Sequence, residues 1–186
     1  MQRHPALFLD RDGVINVDRA YVYRPEDFEF IDGIFDLCRR ARQQDYLIFV
    51  ITNQAGIARG LYTEDDFLSL TQWMCEAFAS AGAAIDKVYF CPFHAVHGIG
   101  KYKLDSPFRK PAPGMILQAA REFNVDLARS VLVGDMETDI QAGVAAGIGC
   151  NLLYRPHAGS LAAPSGATQQ VGSLADINPY LTRGCA

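Results

Sequence analysis

The sequence is short of everything that marks a chain for a membrane, a nucleic acid or a secreted disulfide scaffold. No apolar run is long enough to span a bilayer. The opening Met-Gln-Arg-His-Pro leads into the first strand without the apolar core of a signal peptide. Charge is sparing: 17 Lys and Arg against 21 Asp and Glu leave a net charge of −4. Such a balance offers no basic surface for nucleic acid or an anionic membrane. The five cysteines (Cys38, Cys75, Cys91, Cys150 and Cys185) are scattered and odd in number. They read as reduced thiols of a cytoplasmic protein rather than a disulfide framework. No GxxxxGK[ST] loop is present, which argues against a P-loop nucleotide hydrolase. No Gly-x-Gly-x-x-Gly follows the first strand, which argues against dinucleotide binding. What remains is ordinary composition, 49% apolar and 20% charged, enough for one domain over residues 1–186 with a full core.

The chain is organised around Leu7-Phe8-Leu9-Asp10-Arg11-Asp12-Gly13. A short apolar run that ends in two acids and a glycine reads as a buried parallel strand followed by a loop. An Asp-rich turn would look the same, and the later strand tips decide against it. Residues 18–27 form a polar loop, rich in Tyr and Arg, that must lie over Asp10. A helix follows from Asp32-Gly33 to about Gln44. Leu47 to Ile51 is the second strand, ending in Thr52-Asn53-Gln54, and the glycines at 56 and 60 suit tight turns around an anion. Thr63 and Asp66 form a capping box for a helix that buries Phe67, Leu70, Met74 and Phe78.

Lys87 to Phe90 is the third strand. The long loop from Cys91 to Ala112 ends in Arg109-Lys110-Pro111, a stiff pair of cations ahead of a helix with Pro113 in its first turn. Ser130 to Asp135 is the fourth strand, with Asp139 projecting from the next helix toward Asp135. That helix runs to Gly147, Ile148 to Tyr154 is a fifth strand, and residues 158–168 read as surface loop. An edge strand at Val171 and a short helix within 174–181 complete the reading. Strands alternating with helices predict an α/β fold, a doubly wound, mainly parallel sheet. Three strand tips then deliver Asp10 and Asp12, Thr52 and Asn53, and Asp135 to one edge. Acids for a divalent cation, with a hydroxyl and cations for a phosphate, make a site for phosphoryl transfer.

Asp10-Arg11-Asp12-Gly13-Val14, Thr52-Asn53, Lys110 and Gly134-Asp135-x-x-x-Asp139 resemble the four signatures of the haloacid dehalogenase superfamily, in order. Asn16-Val17-Asp18, Ile51-Thr52-Asn53-Gln54, Cys91-Pro92 and Arg109-Lys110-Pro111-x-Pro-Gly-Met115 narrow the resemblance to the D-glycero-D-manno-heptose-1,7-bisphosphate 7-phosphatases. The resemblance implies a cap-less, Rossmann-like fold and removal of the 7-phosphate. Asp10 would be the nucleophile and Asp12 the general acid/base. Thr52 and Lys110 would bind the phosphoryl oxygens. Mg²⁺ would be held by Asp10, the Asp12 carbonyl and Asp135. Asp18, Arg19, Tyr21, Asn53, Gln54 and Arg109 would line the sugar site, with Arg109 pairing the second phosphate. A monomer and a phosphorylated sugar substrate are expected.

Two departures from the family pattern stand out. Its structural zinc loop, Cys-x-His followed by Cys-x-Cys, reads here Cys91-Pro92-Phe93 and Ser106-Pro107-Phe108, so three of four ligands are gone. The expectation is a loop without zinc, held by apolar packing of Phe93, Pro107 and Phe108. Met136 replaces a frequent Lys. A histidinol-phosphate phosphatase is the rival within the superfamily, and a phospho-Asp signalling module the rival from another class.

Overall fold

Five mostly apolar runs become strands between layers of helices, and a short polar segment adds a sixth at the edge. In the computed structural model, which describes residues 3–156 and 165–183, the strands are β1 (Ala6–Leu9), β2 (Leu47–Asn53), β3 (Lys87–Cys91), β4 (Val131–Gly134), β5 (Cys150–Tyr154) and β6 (Gln169–Val171). Every neighbouring pair is parallel, in the order β3-β2-β1-β4-β5-β6. The helices are α1 (Ile34–Gln43), α2 (Ala55–Ala58), α3 (Glu64–Ser80), α4 (Gly114–Phe123), α5 (Glu137–Ala146) and α6 (Asn178–Arg183). The expected α/β fold with a doubly wound sheet is what the chain adopts. Among the described residues no helix is long and apolar enough to cross a membrane.

Side-chain alternation along the strands divides the core into two layers. Leu7, Leu9, Ile48, Val50, Val131 and Val133 face α1, α3 and α6, where Leu37, Met74, Phe78 and Leu181 cover them. Phe8, Phe49, Ile51 and Leu132 face the other way, onto Met115, Ile116 and Ala119 of α4 and Ile140 of α5. Two covered faces explain why the central strands β1 and β4 are apolar throughout. The register pairs Leu9 with both Val50 and Val133, so Asp10 emerges beside the last residues of β2 and the end of β4. The strand order reverses between β1 and β4, and a crevice opens there at the carboxyl edge of such sheets.

Several boundaries differ from the sequence reading for physical reasons. β2 continues through Asn53 because β3 pairs with it as far as Cys91. Gly56 lies in the short helix α2 rather than in an open turn. Pro113 is the N-cap of α4, one residue before its first turn. The capping box of Thr63 and Asp66 forms as read, and Gly147 ends α5 in the left-handed region. The edge strand and terminal helix also form, while residues 158–164 of the expected loop lie outside the described residues. Cys38, Cys75 and Cys91 are free thiols. Cys150 is disulfide-bonded, against the expectation that all five cysteines are reduced.

The long loop after β3 contains one 3₁₀ turn, Gly100–Tyr102. The rings of Phe93 and Phe108 are partly buried against the α4 side of the core. Phe93 also meets Tyr102 at 6.1 Å between ring centroids. The Gly114 N–H donates to the Pro107 carbonyl at 3.0 Å, closing the loop onto α4. Removing the Phe93 ring should therefore loosen the loop. Phe93→Ala is expected to lower the unfolding free energy by about 2 kcal/mol, less than for a fully buried ring. Urea titration checks this, and an unchanged midpoint would show that the ring does not fasten the loop.

Candidate active site

Asp10 follows the last residue of β1, and its N–H still donates to the Val133 carbonyl at 3.0 Å. This extra rung holds the buried carboxylate at the crevice between β1 and β4. Its Oδ1 accepts from the Arg11 N–H at 2.7 Å and pairs with the Lys110 ammonium at 2.8 Å. Lys110 arrives from the long loop, is 4% exposed, and pairs with Asp139 Oδ1 at 2.6 Å as well. Its third proton goes to the Ile51 carbonyl at 2.9 Å. An ammonium has three donors, and here all three are used. Asn53 fixes the backbone of the same residue. Its Oδ1 accepts from the Lys110 N–H at 3.0 Å and its Nδ2 donates to the Lys110 carbonyl at 3.1 Å.

Asp12 is held by a second set of donors. Arg11 donates Nε–H and an Nη2–H to its carboxylate at 2.9–3.1 Å. Asn16 Nδ2 donates at 3.1 Å and Gln54 Nε2 at 3.3 Å. The Arg11 guanidinium is itself buried. It also donates to the Val22 carbonyl at 2.8 Å, so the loop over the site is tied to Asp12. Gly13, at φ +88°, sits where a Cβ would meet Asp135 Oδ2 at 2.2 Å. Only glycine fits both that conformation and that approach.

The electrostatics follow from burial. Desolvation pushes the Asp10 carboxyl up to about 8, against the pull of Lys110 and with Asp139 and Asp135 adding to it. Burial likewise lifts Asp135 to about 6, with Asp139 adding to the rise. Burial alone would lower the Lys110 ammonium. Asp10 and Asp139 more than offset that and hold it above its ordinary value. Asp10, Asp135 and Asp139 thus crowd one ammonium and leave negative charge uncompensated. Their carboxylate oxygens lie within 4.8 Å of one another, the only such group of His, Cys, Asp and Glu among the described residues. Asp135 Oδ1 is buried without a hydrogen-bond partner. An oxygen-only donor set, excess negative charge and an unpartnered buried oxygen fit a hard divalent cation such as Mg²⁺.

A cleft of about 140 Å³ is lined by Asp10, Asp12, Asp18, Thr52, Asn53, Lys110 and Asp135, together with Met136, Thr138 and Asp139. Seven of the expected site residues therefore meet around one space. Arg19, Tyr21, Gln54 and Arg109 do not line it. Arg19 pairs with Glu29 on the surface, and Tyr21 is exposed. An Arg109 Nη1–H donates to the Phe93 carbonyl at 3.3 Å, and Gln54 is buried with its amide on the Thr52 hydroxyl. Asp139 was expected only to point toward Asp135, yet it anchors Lys110. Its spacing, one helical turn after Asp135, was the available signal. A larger cavity of about 680 Å³ adjoins the cleft, sharing Asp18, Asp135 and Met136 with it.

Residues 107–163 match the HAD-hydrolase-like family model. The D-glycero-alpha-D-manno-heptose-1,7-bisphosphate 7-phosphatase of Burkholderia mallei is 54% identical over 97% of this chain and 95% of its own length. The D-glycero-beta-D-manno-heptose-1,7-bisphosphate 7-phosphatase of Vibrio cholerae is 48% identical over 96% of this chain and 97% of its own. The crystal structure of D,D-heptose 1,7-bisphosphate phosphatase from B. bronchiseptica, complexed with magnesium and phosphate, superposes with a TM-score of 0.80. It is 32% identical, covering 96% of this chain and 98% of that one.

The raised carboxyls dictate a pH dependence. In metal-free protein the folded state retains protons on Asp10 and Asp135 that the unfolded chain has lost. Their contribution to stability is therefore greatest at low pH and declines as pH rises toward about 8. A divalent cation must displace those protons, so its stabilising effect grows over the same range. Thermal midpoints in EDTA and in Mg²⁺ should diverge between about pH 6 and pH 8, and Asp135→Asn should abolish the divergence. An equal rise from Mg²⁺ at both ends of the range would contradict this placement of the cation.

Proposed function

The chain belongs to the D-glycero-D-manno-heptose-1,7-bisphosphate 7-phosphatase family of the HAD-like hydrolases, and we propose that it removes the 7-phosphate through a phosphorylated Asp10. One observation carries the mechanism: a buried carboxylate at the tip of β1, bridged to Lys110, with a second carboxylate two residues on. Asp10 attacks phosphorus, forming the bond to its carboxylate oxygen as the bond to the sugar O7 breaks. Asp12, oriented by Arg11 and Asn16, gives its proton to the departing oxygen. It then takes a proton from water, which attacks the aspartyl-phosphate and frees Asp10.

The Thr52 hydroxyl donates to the phosphoryl oxygens in the transition state, and the Lys110 ammonium, its three protons already committed, offsets their charge from beside Asp10. Asp10, Asp135 and the Asp12 carbonyl would hold Mg²⁺, which supplies positive charge at the transferring group. Lys110 has no freedom to follow the substrate, because Asn53, Asp10, Asp139 and Ile51 hold it from four sides. This rigidity is what preorganised charge stabilisation requires.

The long loop stands without zinc in this reading. Of the family's four ligand positions only Cys91 remains. The His94 Nδ1 nearby accepts from the N–H groups of Val96 and His97 at 3.2 and 3.1 Å, which serves a turn. Aromatic packing of Phe93 and Phe108 supplies the cohesion instead. Elemental analysis of the purified protein checks this, and stoichiometric zinc would overturn it.

Phosphate release should be measured with Mg²⁺ on both anomers of the heptose 1,7-bisphosphate, on fructose 1,6-bisphosphate and on histidinol phosphate. The expected outcome is strong preference for a heptose anomer. Asp10→Asn should lose at least about a thousandfold in kcat. Preference for histidinol phosphate would transfer the chain to that rival activity. A stable phospho-Asp without turnover would favour a signalling module.

A further inference from the structure

Gln54 lies outside the cleft, yet its amide is fully engaged on the residues that line it. The side chain is buried at 1% exposure. Its Nε2 donates to Thr52 Oγ1 at 2.8 Å and, more weakly, to Asp12 Oδ2 at 3.3 Å. Its Oε1 accepts from the Tyr62 hydroxyl at 2.5 Å. A carboxamide can be flipped with little change of shape, so its partners decide which end faces which way. Here Tyr62 decides. The Gly56 N–H is directed at the phenol oxygen, and burial pushes the phenol up to about 12, so the hydroxyl stays a donor at any working pH. Its proton goes to Oε1, and with the Asp12 carboxylate accepting on the other side the NH₂ faces Thr52.

Gly56 is needed for that approach, since a Cβ there would lie 2.1 Å from Tyr62 Cε1. Tyr23, from the loop over the site, stacks on the phenol at 5.2 Å and 10° between planes. The consequence falls on the Thr52 hydroxyl, which has one proton and two lone pairs. Gln54 occupies a lone pair, and no acceptor for the hydroxyl proton is present among the described residues. The proton is left for the cleft.

We propose that Tyr62 and Gln54 are positioning residues that hold the Thr52 hydroxyl as a donor toward the transferring phosphoryl group. The proposal rests on the phosphatase reading above only in needing a phosphoryl group in the cleft. It is therefore tested with p-nitrophenyl phosphate, whatever the natural substrate. The nitrophenolate leaving group needs no general acid, which mutes the contribution of Asp12 to the first transfer.

Tyr62→Phe releases the amide orientation without adding volume. It should lower kcat and kcat/KM together by about five- to tenfold, with KM unchanged, the pattern of an interaction made only in the transition state. Gln54→Glu keeps the shape but offers only acceptors, so the Thr52 proton is drawn away from the cleft. Its loss should approach that of Thr52→Val, about a hundredfold, the scale for one transition-state donor. Each variant is then repeated in the Thr52→Val background, where a further loss of less than about twofold is expected, because the residue they act through is gone. Thermal unfolding of each variant identifies any that does not fold, and the Gln54→Glu pair decides the matter if Tyr62→Phe fails to do so. Near-normal kinetics with lowered stability would make the two residues merely structural and overturn the proposal. So would the same fold-loss in both backgrounds. Turnover of p-nitrophenyl phosphate without turnover of either heptose bisphosphate would retire the substrate assignment and leave this test intact.

Discussion

The Lys110 ammonium, buried between Asp10 and Asp139, is the interaction on which the rest depends. It joins four separate pieces of chain: the tip of β1, the Ile51 carbonyl in β2, the first turn of α5 and the end of the long loop. A charge taken out of water is tolerated only where partners replace the solvent on every side, and removing one partner of such a set typically costs about 3–5 kcal/mol. The register of the strands makes this possible. With Leu9 opposite both Val50 and Val133, the carboxylate after β1 and the carbonyls of β2 face one point. A one-residue slip in either pairing would send Asp10 to the opposite face of the sheet.

Excess negative charge is the second constraint, and it explains the glycine after Asp12. Three carboxylates around one ammonium repel one another, and burial enlarges the effect. A sheet evolved for stability alone would avoid this arrangement, whereas a site that gathers a cation and a phosphoryl group requires it. Gly13 lets Asp135 reach the crevice, and Asp139 divides its carboxylate between two tasks. One oxygen pairs with Lys110 and the other caps the Met136 N–H at 3.0 Å. Asp12 stands apart from this cluster, supported by Arg11, Asn16 and Gln54. The attacking carboxylate and the proton-transferring carboxylate thus occupy different environments although only Arg11 separates them in sequence. That difference in environment is how two like groups take different roles.

Most of the fold was legible because strand and helix periods agree with the turn chemistry at nearly every boundary. Thr63 with Asp66, and Gly147 at the end of α5, mark their helix ends unambiguously. The strand tips carrying Asp10, Thr52 and Asp135 followed from the parallel alternation alone. What sequence could not disclose is how side chains from distant segments share partners. Gln54 follows Thr52-Asn53 and so reads as a residue of the substrate site, but Tyr62, approaching over Gly56, turns it inward. Arg109 next to Lys110 reads as a fork for a second phosphate, yet it meets the Phe93 carbonyl within its own loop. Asn53 reads as a ligand contact; it lines the cleft and also clamps the Lys110 backbone. The Cys150 disulfide was invisible for a related reason, since an odd set of scattered cysteines does not disclose a pairing.

Asp10 receiving the phosphoryl group is the central step of the proposed reaction, and trapping that species tests it most directly. The enzyme should be quenched in acid during steady turnover of the heptose bisphosphate, digested, and its peptides weighed by mass spectrometry. One phosphoryl group on the peptide that contains Asp10, absent from Asp10→Asn protein treated in the same way, is the predicted result. Full turnover with no phosphorylated peptide, or with the group located on Asp12, would contradict the assignment of Asp10 as the nucleophile.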